Sequence, residues 1–171
     1  MSKIIGAVEI GTSQAKALIG EVGDQGALSI VGMATRRNEG MRKGQIVDFR
    51  KAASAVHAAL EEAEKMSGTT VDSVYLAQTG SHLRGHMLRG SASVSSSDNR
   101  VSADDVQRAA AEAKRRQPDE GRSYVHHVRT PIILDDQIME DPVGMMGKKI
   151  DLGYWSIDGE DQAIQRGLDV I

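Results

Sequence analysis

Ile4-Ile5-Gly6-Ala7-Val8-Glu9-Ile10-Gly11-Thr12-Ser13-Gln14-Ala15-Lys16-Ala17-Leu18-Ile19-Gly20-Glu21 is two apolar runs folded about an acid-Ile-Gly-Thr-Ser turn. The pattern places a carboxylate, a glycine and two hydroxyl residues at the mouth of a hairpin. Backbone N–H groups left unpaired at such a turn can point at a phosphate, and Gly11 has no Cβ to hold an anion away. The stretch therefore reads as a nucleotide-phosphate loop. The plainer reading, an ordinary hairpin whose Gly-Thr-Ser merely favours the bend, stands beside it on these residues alone.

One further apolar, β-branched segment extends the pattern. Lys3 to Ile10, Ala15 to Val22 and Ala27 to Ala34 are separated by Gly11-Thr12-Ser13 and Gly23-Asp24-Gln25-Gly26, a three-stranded meander. Gly40-Met41-Arg42-Lys43-Gly44 then forms an exposed loop or hairpin. Asp48 is placed to cap a helix running to about Ser67, in which Phe49, Ala52, Ala53, Val56, Leu60 and Ala63 recur at helical spacing and Gly68 supplies the stop. A fourth strand, Val71 to Gln78, follows. The order β-β-β-α-β with a phosphate turn between the first two strands suits a ribonuclease-H-like α/β fold of the actin type.

From Ser81 the texture changes. His82 to Val94 reads as a strand or hairpin, Ser102 to Asp105 has the form of a capping box, and Val106, Ala109, Ala110 and Ala113 make a narrow helix face ended before Pro118. Tyr124 to Leu134 and Lys149 to Ile157 read as two extended segments, which makes a β-α-β-β insert. Asp158 to Ile171 reads as a short helix entering a strand cut off at Val170-Ile171, so the chain is expected to stop in mid-fold.

Composition bounds the function. The 171 residues are 40% apolar, enough to bury a sizeable core, and they include no cysteine, which excludes disulfides and thiolate metal sites. A formal charge of −3 with one Trp, one Phe and three Tyr argues against a basic, aromatic nucleic-acid groove. No apolar run approaches the ~20 residues that cross a bilayer, and the start has no signal-peptide pattern. A cytoplasmic protein is the expectation.

Four stretches now carry a resemblance. The opening turn resembles the phosphate-1 loop of the actin superfamily. Together with Gly40-Met41-Arg42-Lys43-Gly44-Gln45-Ile46-Val47-Asp48, Val74-Tyr75-Leu76-Ala77-Gln78-Thr79-Gly80-Ser81-His82 and Asp141-Pro142-Val143-Gly144-Met145-Met146-Gly147, it makes the chain similar to the N-terminal part of the FtsA family of bacterial cell-division proteins. The resemblance covers the chain to about Gly159. It implies an actin-like subdomain 1A over residues 1–80, with 159–171 returning to it, and an inserted subdomain 1C over 81–158. It further implies ATP and Mg²⁺ as cofactors, with Glu9, Gly11, Thr12, Ser13, Gln14 and Lys16 as the phosphate-1 loop and Glu9 holding the metal through water. Self-association and contact with other division proteins are implied for subdomain 1C. Linkage to FtsZ filaments, and to the cytoplasmic face of the inner membrane through a C-terminal helix, is implied for the family's full-length members at the division site.

Two residues depart from the family pattern. Many members have lysine where Gln14 stands and many superfamily members have aspartate where Glu9 stands. Lys16, seven residues after the acid, shares a strand face with Gln14 and can supply the charge. Because the family's second lobe lies beyond Ile171, this chain is expected neither to hydrolyse ATP nor to bind it tightly. The alternative is a sugar-kinase-like or chaperone-like ATPase of the same superfamily, which the Pro-Val-Gly-Met stretch after a β-α-β insert disfavours. His82, His86, His126 and His127 lack a carboxylate at ligand spacing and are not read as a metal site, nor are Asp135-Asp136 and Glu140-Asp141 read as catalytic acids. Met139, Met145 and Met146 are either an adaptable partner surface or core filler.

Overall fold

In the computed structural model, which describes residues 3–171, the opening hairpin is β1 (Lys3–Ile10) paired antiparallel with β2 (Gln14–Val22), Glu9 opposite Lys16 and Ile10 opposite Ala15. The third strand, β3 (Leu28–Arg37), pairs antiparallel with β2. Of the loop or hairpin expected at Gly40 to Gly44, the structure forms the hairpin, β4 (Met41–Arg42) and β5 (Gln45–Ile46), turned by Lys43 and Gly44 at φ 48° and 75°. Helix α1 (Phe49–Ser67) begins where the Asp48 carboxylate accepts from the Lys51 N–H at 3.1 Å and ends at Gly68 in the left-handed region. It returns the chain to β6 (Val74–Ala77), which lies parallel to β1 and completes the order β3-β2-β1-β6.

The buried seam of α1 is small: Ala52, Ala55, Val56, Ala59 and Ala63. Small side chains let the helix backbone approach the sheet, and a Cβ on Gly32 of β3 would stand 2.3 Å from the Ala63 carbonyl oxygen. Phe49, expected on this face, is 47% exposed. The seam starts a turn later, where Ala52 meets Gly40. Val8, Ile10, Ala15, Ala17 and Ile19 supply the sheet side of this core. The opposite sheet face presents Leu18, Met33 and Tyr75 to solvent.

The chain divides into two compact units: one runs to His82 and resumes over Asp161–Ile171, the other is Leu83–Glu160. The second unit comprises β7 (Leu83–Ser93), α2 (Ala103–Ala113), β8 (Arg122–Arg129), β9 (Ile132–Leu134), β10 (Gln137–Met139) and β11 (Lys149–Glu160). Strand β11 is central, with β7 along one side, β9 and then β8 along the other, and β10 outside β9. The β-α-β-β expectation needs correction here, because the segment Tyr124 to Leu134 is two strands. Pro131 has no N–H to continue a ladder, and the Thr130 N–H and hydroxyl both bond the Gly153 carbonyl, at 2.9 and 3.2 Å. Asp135 and Asp136, at φ 45° and 70°, then turn β9 into β10.

Helix α2 opens on the expected capping box, Ser102 and Asp105 each bonding the other's backbone N–H. The last helix, α3 (Asp161–Leu168), belongs to the first unit, and Val170 enters that unit's core. The strand expected at Val170-Ile171 is absent. The N–H groups of Asp169 and Ile171 bond Gln165 and Leu168 carbonyls, so the segment closes as a helix end.

Candidate functional site

Three segments of the first unit meet beside the carboxyl ends of the parallel strands β1 and β6, the position at which open α/β sheets bind ligands. They are the turn Gly11-Thr12-Ser13, the hairpin tip Lys43-Gly44 and Thr79-Gly80. The Gly44 N–H donates to the Thr12 hydroxyl at 3.1 Å, and a Cβ on Gly44 would lie 3.3 Å from the Gly80 Cα. Two of the motifs singled out in sequence thus converge on the third.

Asn38, which sequence reasoning passed over, organises the turn. It is 4% exposed. Its side-chain amide donates to the Gly11 carbonyl at 3.0 Å, its backbone N–H donates to the Ser13 carbonyl at 2.9 Å, and its Oδ1 accepts from the Gly40 N–H at 2.9 Å. The signal available was a lone amide between the charged end of β3 and Glu39-Gly40. A buried asparagine there satisfies three backbone groups that would otherwise be costly to bury.

The turn differs from expectation in one respect. The Gly11 N–H is not free: it donates to the Gln14 carbonyl at 2.9 Å. A Cβ at Gly11 would stand 2.7 Å from that same oxygen, so the turn itself requires glycine there. The N–H groups of Thr12 and Ser13 make no hydrogen bond within the described residues, and both residues are exposed. Two adjacent unbonded N–H groups on an exposed turn are donors an anion can take.

Directly across β1 and β2, Lys16 Nζ lies 3.0 Å from Glu9 Oε2, and the two side chains are 50% and 39% exposed. Gln14 is on the same, solvent-facing side of β2. An ion pair so exposed contributes about 0–1 kcal/mol, so a phosphate can recruit Lys16 at little cost. The Glu9 carboxylate would repel that phosphate unless a cation stood between them. Among the described residues no three His, Asp or Glu side chains converge as metal ligands. A lone carboxylate beside an anion site suits Mg²⁺, which keeps several waters and takes one or two carboxylates along with phosphate oxygens.

In the second unit, Asp141 to Gly147 packs along Asn99 to Val101. Pro142 is fully buried, the Gly147 N–H bonds the Asn99 carbonyl at 2.9 Å, and Met145 and Met146 face solvent, 44% and 69% exposed. Met139 instead packs against the core. The titratable residues here are structural. Asp135 accepts from the Lys148 and Lys149 N–H groups at 2.9 Å. His127 bonds Ser156 at 2.7 Å, and burial, with Lys114 and His126 nearby, pushes its pKa down. Asp158 is buried against Arg122 and His86; burial favours its neutral form, but the bonds from Arg122 and His86 prevail and hold its pKa low. Asp105, fully buried, accepts from Ser102 and Ser95 and pairs with Arg108. The Ser102 hydroxyl and N–H, then Ser95, outweigh burial and hold its carboxyl well below the usual carboxylate range.

Comparison with known proteins bears on both units. Residues 80–158 match the family described as the SHS2 domain inserted in FtsA. The cell division protein FtsA of Neisseria meningitidis serogroup B is 30% identical over 164 residues, 95% of this chain and 39% of that protein. Its Pseudomonas aeruginosa counterpart is 29% identical over 150 residues, 87% of this chain and 36% of that protein. That of Escherichia coli K12 is 30% identical over 149 residues, 86% and 35%. The matches thus span 35 to 39% of the length of these relatives. Among solved structures, a diol dehydratase-reactivating factor in nucleotide-free form aligns at a TM-score of 0.37 and 13% identity, over 77% of this chain and 19% of that chain, a likeness too slight to carry an argument.

Proposed function

From the premise that this chain is FtsA-like along most of its length, with the SHS2 domain of that family as its second unit, we propose that it forms the phosphate wall and the contact insert of an actin-like scaffold in bacterial cell division. The first unit acts as subdomain 1A. Its Thr12 and Ser13 N–H groups and the Lys16 ammonium take the phosphates of ATP, with Gly11 shaping the turn, Gln14 flanking it and Glu9 holding Mg²⁺ through water. The second unit acts as subdomain 1C and meets other protomers and division proteins, its exposed Met145 and Met146 contributing. In a protein of the relatives' full length, the same scaffold links FtsZ filaments to the cytoplasmic face of the membrane. Among the described residues no helix is long and apolar enough to cross a membrane.

The observation that carries the reading is the convergence of the β1–β2 turn, Gly44 and Gly80 at the ends of two parallel strands, with two N–H groups unbonded among the described residues. The SHS2 match favours it over a kinase-like or chaperone-like ATPase. Contacts as exposed as Lys16 are weak, and association itself costs about 4–15 kcal/mol, so the chain alone binds Mg-ATP at about millimolar or worse and does not turn it over. The test is calorimetric displacement with Mg-ATP on the chain and on Lys16→Ala. Weak binding lost in the variant supports the assignment; a low-micromolar dissociation constant indifferent to Lys16 overturns it.

A further inference from the structure

Strand β7 is an outer strand of the second unit's sheet, and among the described residues no strand pairs with its other side. The Thr130 N–H bonds the Gly153 carbonyl and the Gly153 N–H bonds Thr130 Oγ1, so Gly153 faces away from β7. The neighbouring Leu152 and Tyr154 therefore bond β7, at Gly90 and Leu88. By alternation Gly85, Met87, Arg89 and Ser91 turn their N–H and C=O groups outward. All four are exposed. Proteins blunt sheet edges by making them short or bulged. Here β10 is three residues long and the β8–β11 ladder bulges between Ile157 and Asp158, whereas β7 runs eleven residues against β11 without a register shift.

Beside this edge the end of α2 leaves a groove of about 360 Å³ lined by Met87, Leu88, Arg89, Glu112, Arg115 and Arg116. Arg115 is paired with Glu112 at 3.1 Å, while Arg89 and Arg116 enter no ion pair among the described residues. The edge is thus open, cationic and floored by an exposed methionine. A second copy of β7 would set arginines against arginines.

The geometry points to the outer edge of β7 as a docking site for an extended, acidic segment of a partner protein, added as a further strand. Main-chain bonds to Met87 and Arg89 supply the pairing, and side-chain alternation supplies the specificity. A residue opposite Arg89 carries a carboxylate. Two positions along, on the same face, an apolar side chain meets Met87, and the residue between them points toward Arg116. This deepens the reading of the second unit as a contact insert but rests on its sheet alone, so loss of nucleotide binding leaves it standing.

The test titrates the full chain with a short fluorescein-labelled peptide of alternating Glu and Val, and with its Lys and Val counterpart. Expected are saturable binding of the acidic peptide only and slowed amide exchange at Met87 and Arg89. Reversing the charge with Arg89→Glu weakens binding by about tenfold or more, as for a close charge pair. Met87→Pro removes an outward N–H without breaking the β11 ladder, and it abolishes binding while Trp155 fluorescence stays native. Equal binding of both peptides, an unchanged affinity in Arg89→Glu, or no slowing at these amides overturns the proposal. Slowing that appears in the chain alone as its concentration rises overturns it in favour of a second copy.

Discussion

Gly90→Ala is the sharpest test of how the second unit is held together. Gly90 lies in β7 under α2, and a Cβ there would stand 2.2 Å from the Ala113 amide nitrogen and 2.3 Å from the Ala109 carbonyl oxygen. Both are main-chain atoms, so no rotamer change relieves the contact. Ordinary contact begins near 3.4 Å, so α2 must lift by roughly 1 Å, opening the seam in which Ala109 and Ala113 are buried. Overpacking of this kind costs about 1–3 kcal/mol, and the upper end applies because a whole helix moves. Gly121→Ala is the control. Gly121 has φ 73° and nothing within 4 Å of its Cβ position, so only backbone strain of about 1 kcal/mol is expected. Trp155, the one tryptophan, sits on β11 and reports this unit directly. With a urea slope of about 1.5–2 kcal/mol/M, Gly90→Ala lowers the midpoint of the Trp155 transition by roughly 1.5–2 M, about three times the control shift. Equal shifts would refute the close helix–sheet approach.

Three further outcomes concern the α2 cap and the phosphate turn. Ser102→Ala removes the cap of α2 and lowers the stability read by Trp155 by about 1 kcal/mol. Asp105 titrates lower in the folded chain than in the unfolded one, so its stabilisation is complete above about pH 4 and drains away as pH falls below it. Urea midpoints measured down the acid limb should therefore fall less steeply in Asp105→Asn than in the parent chain, and an unchanged slope would show that the Ser102 and Ser95 bonds do not hold that carboxylate. Gln14→Lys adds an exposed ammonium on the Lys16 side of β2 and raises Mg-ATP affinity by at most about fivefold, measured by the same calorimetry.

The first unit was legible because its signals are local and agree. Apolar runs broken by Gly-rich turns mark β1 to β3, and Asp48 and Gly68 bracket α1 with a cap and a left-handed stop. The finer errors come from long-range contacts. Phe49 has helical spacing, yet the seam follows the alanines because Gly32 and Gly40 bring the backbones close, a pairing between distant residues that no window reveals. Val170-Ile171 has the composition of a strand, but helix α3 runs into it. Tyr124 to Leu134 reads as one segment until the shared Gly153 carbonyl shows where Thr130-Pro131 interrupts it. At the site, the nearness of Lys16 to the acid and the face it shares with Gln14 were readable from strand alternation, but its pairing with Glu9 across the hairpin emerges only from the register. The hub role of Asn38 was not, since it depends on three backbone groups drawn from Gly11, Ser13 and Gly40.

The most direct measurement is a two-dimensional amide NMR titration of the chain with Mg-ATP, followed residue by residue. The phosphate-turn assignment predicts fast-exchange shifts centred on Thr12 and Ser13, extending to Gly44, and strongly reduced in Lys16→Ala. Shifts that leave Thr12 and Ser13 untouched, or that persist unchanged without the Lys16 ammonium, would contradict it.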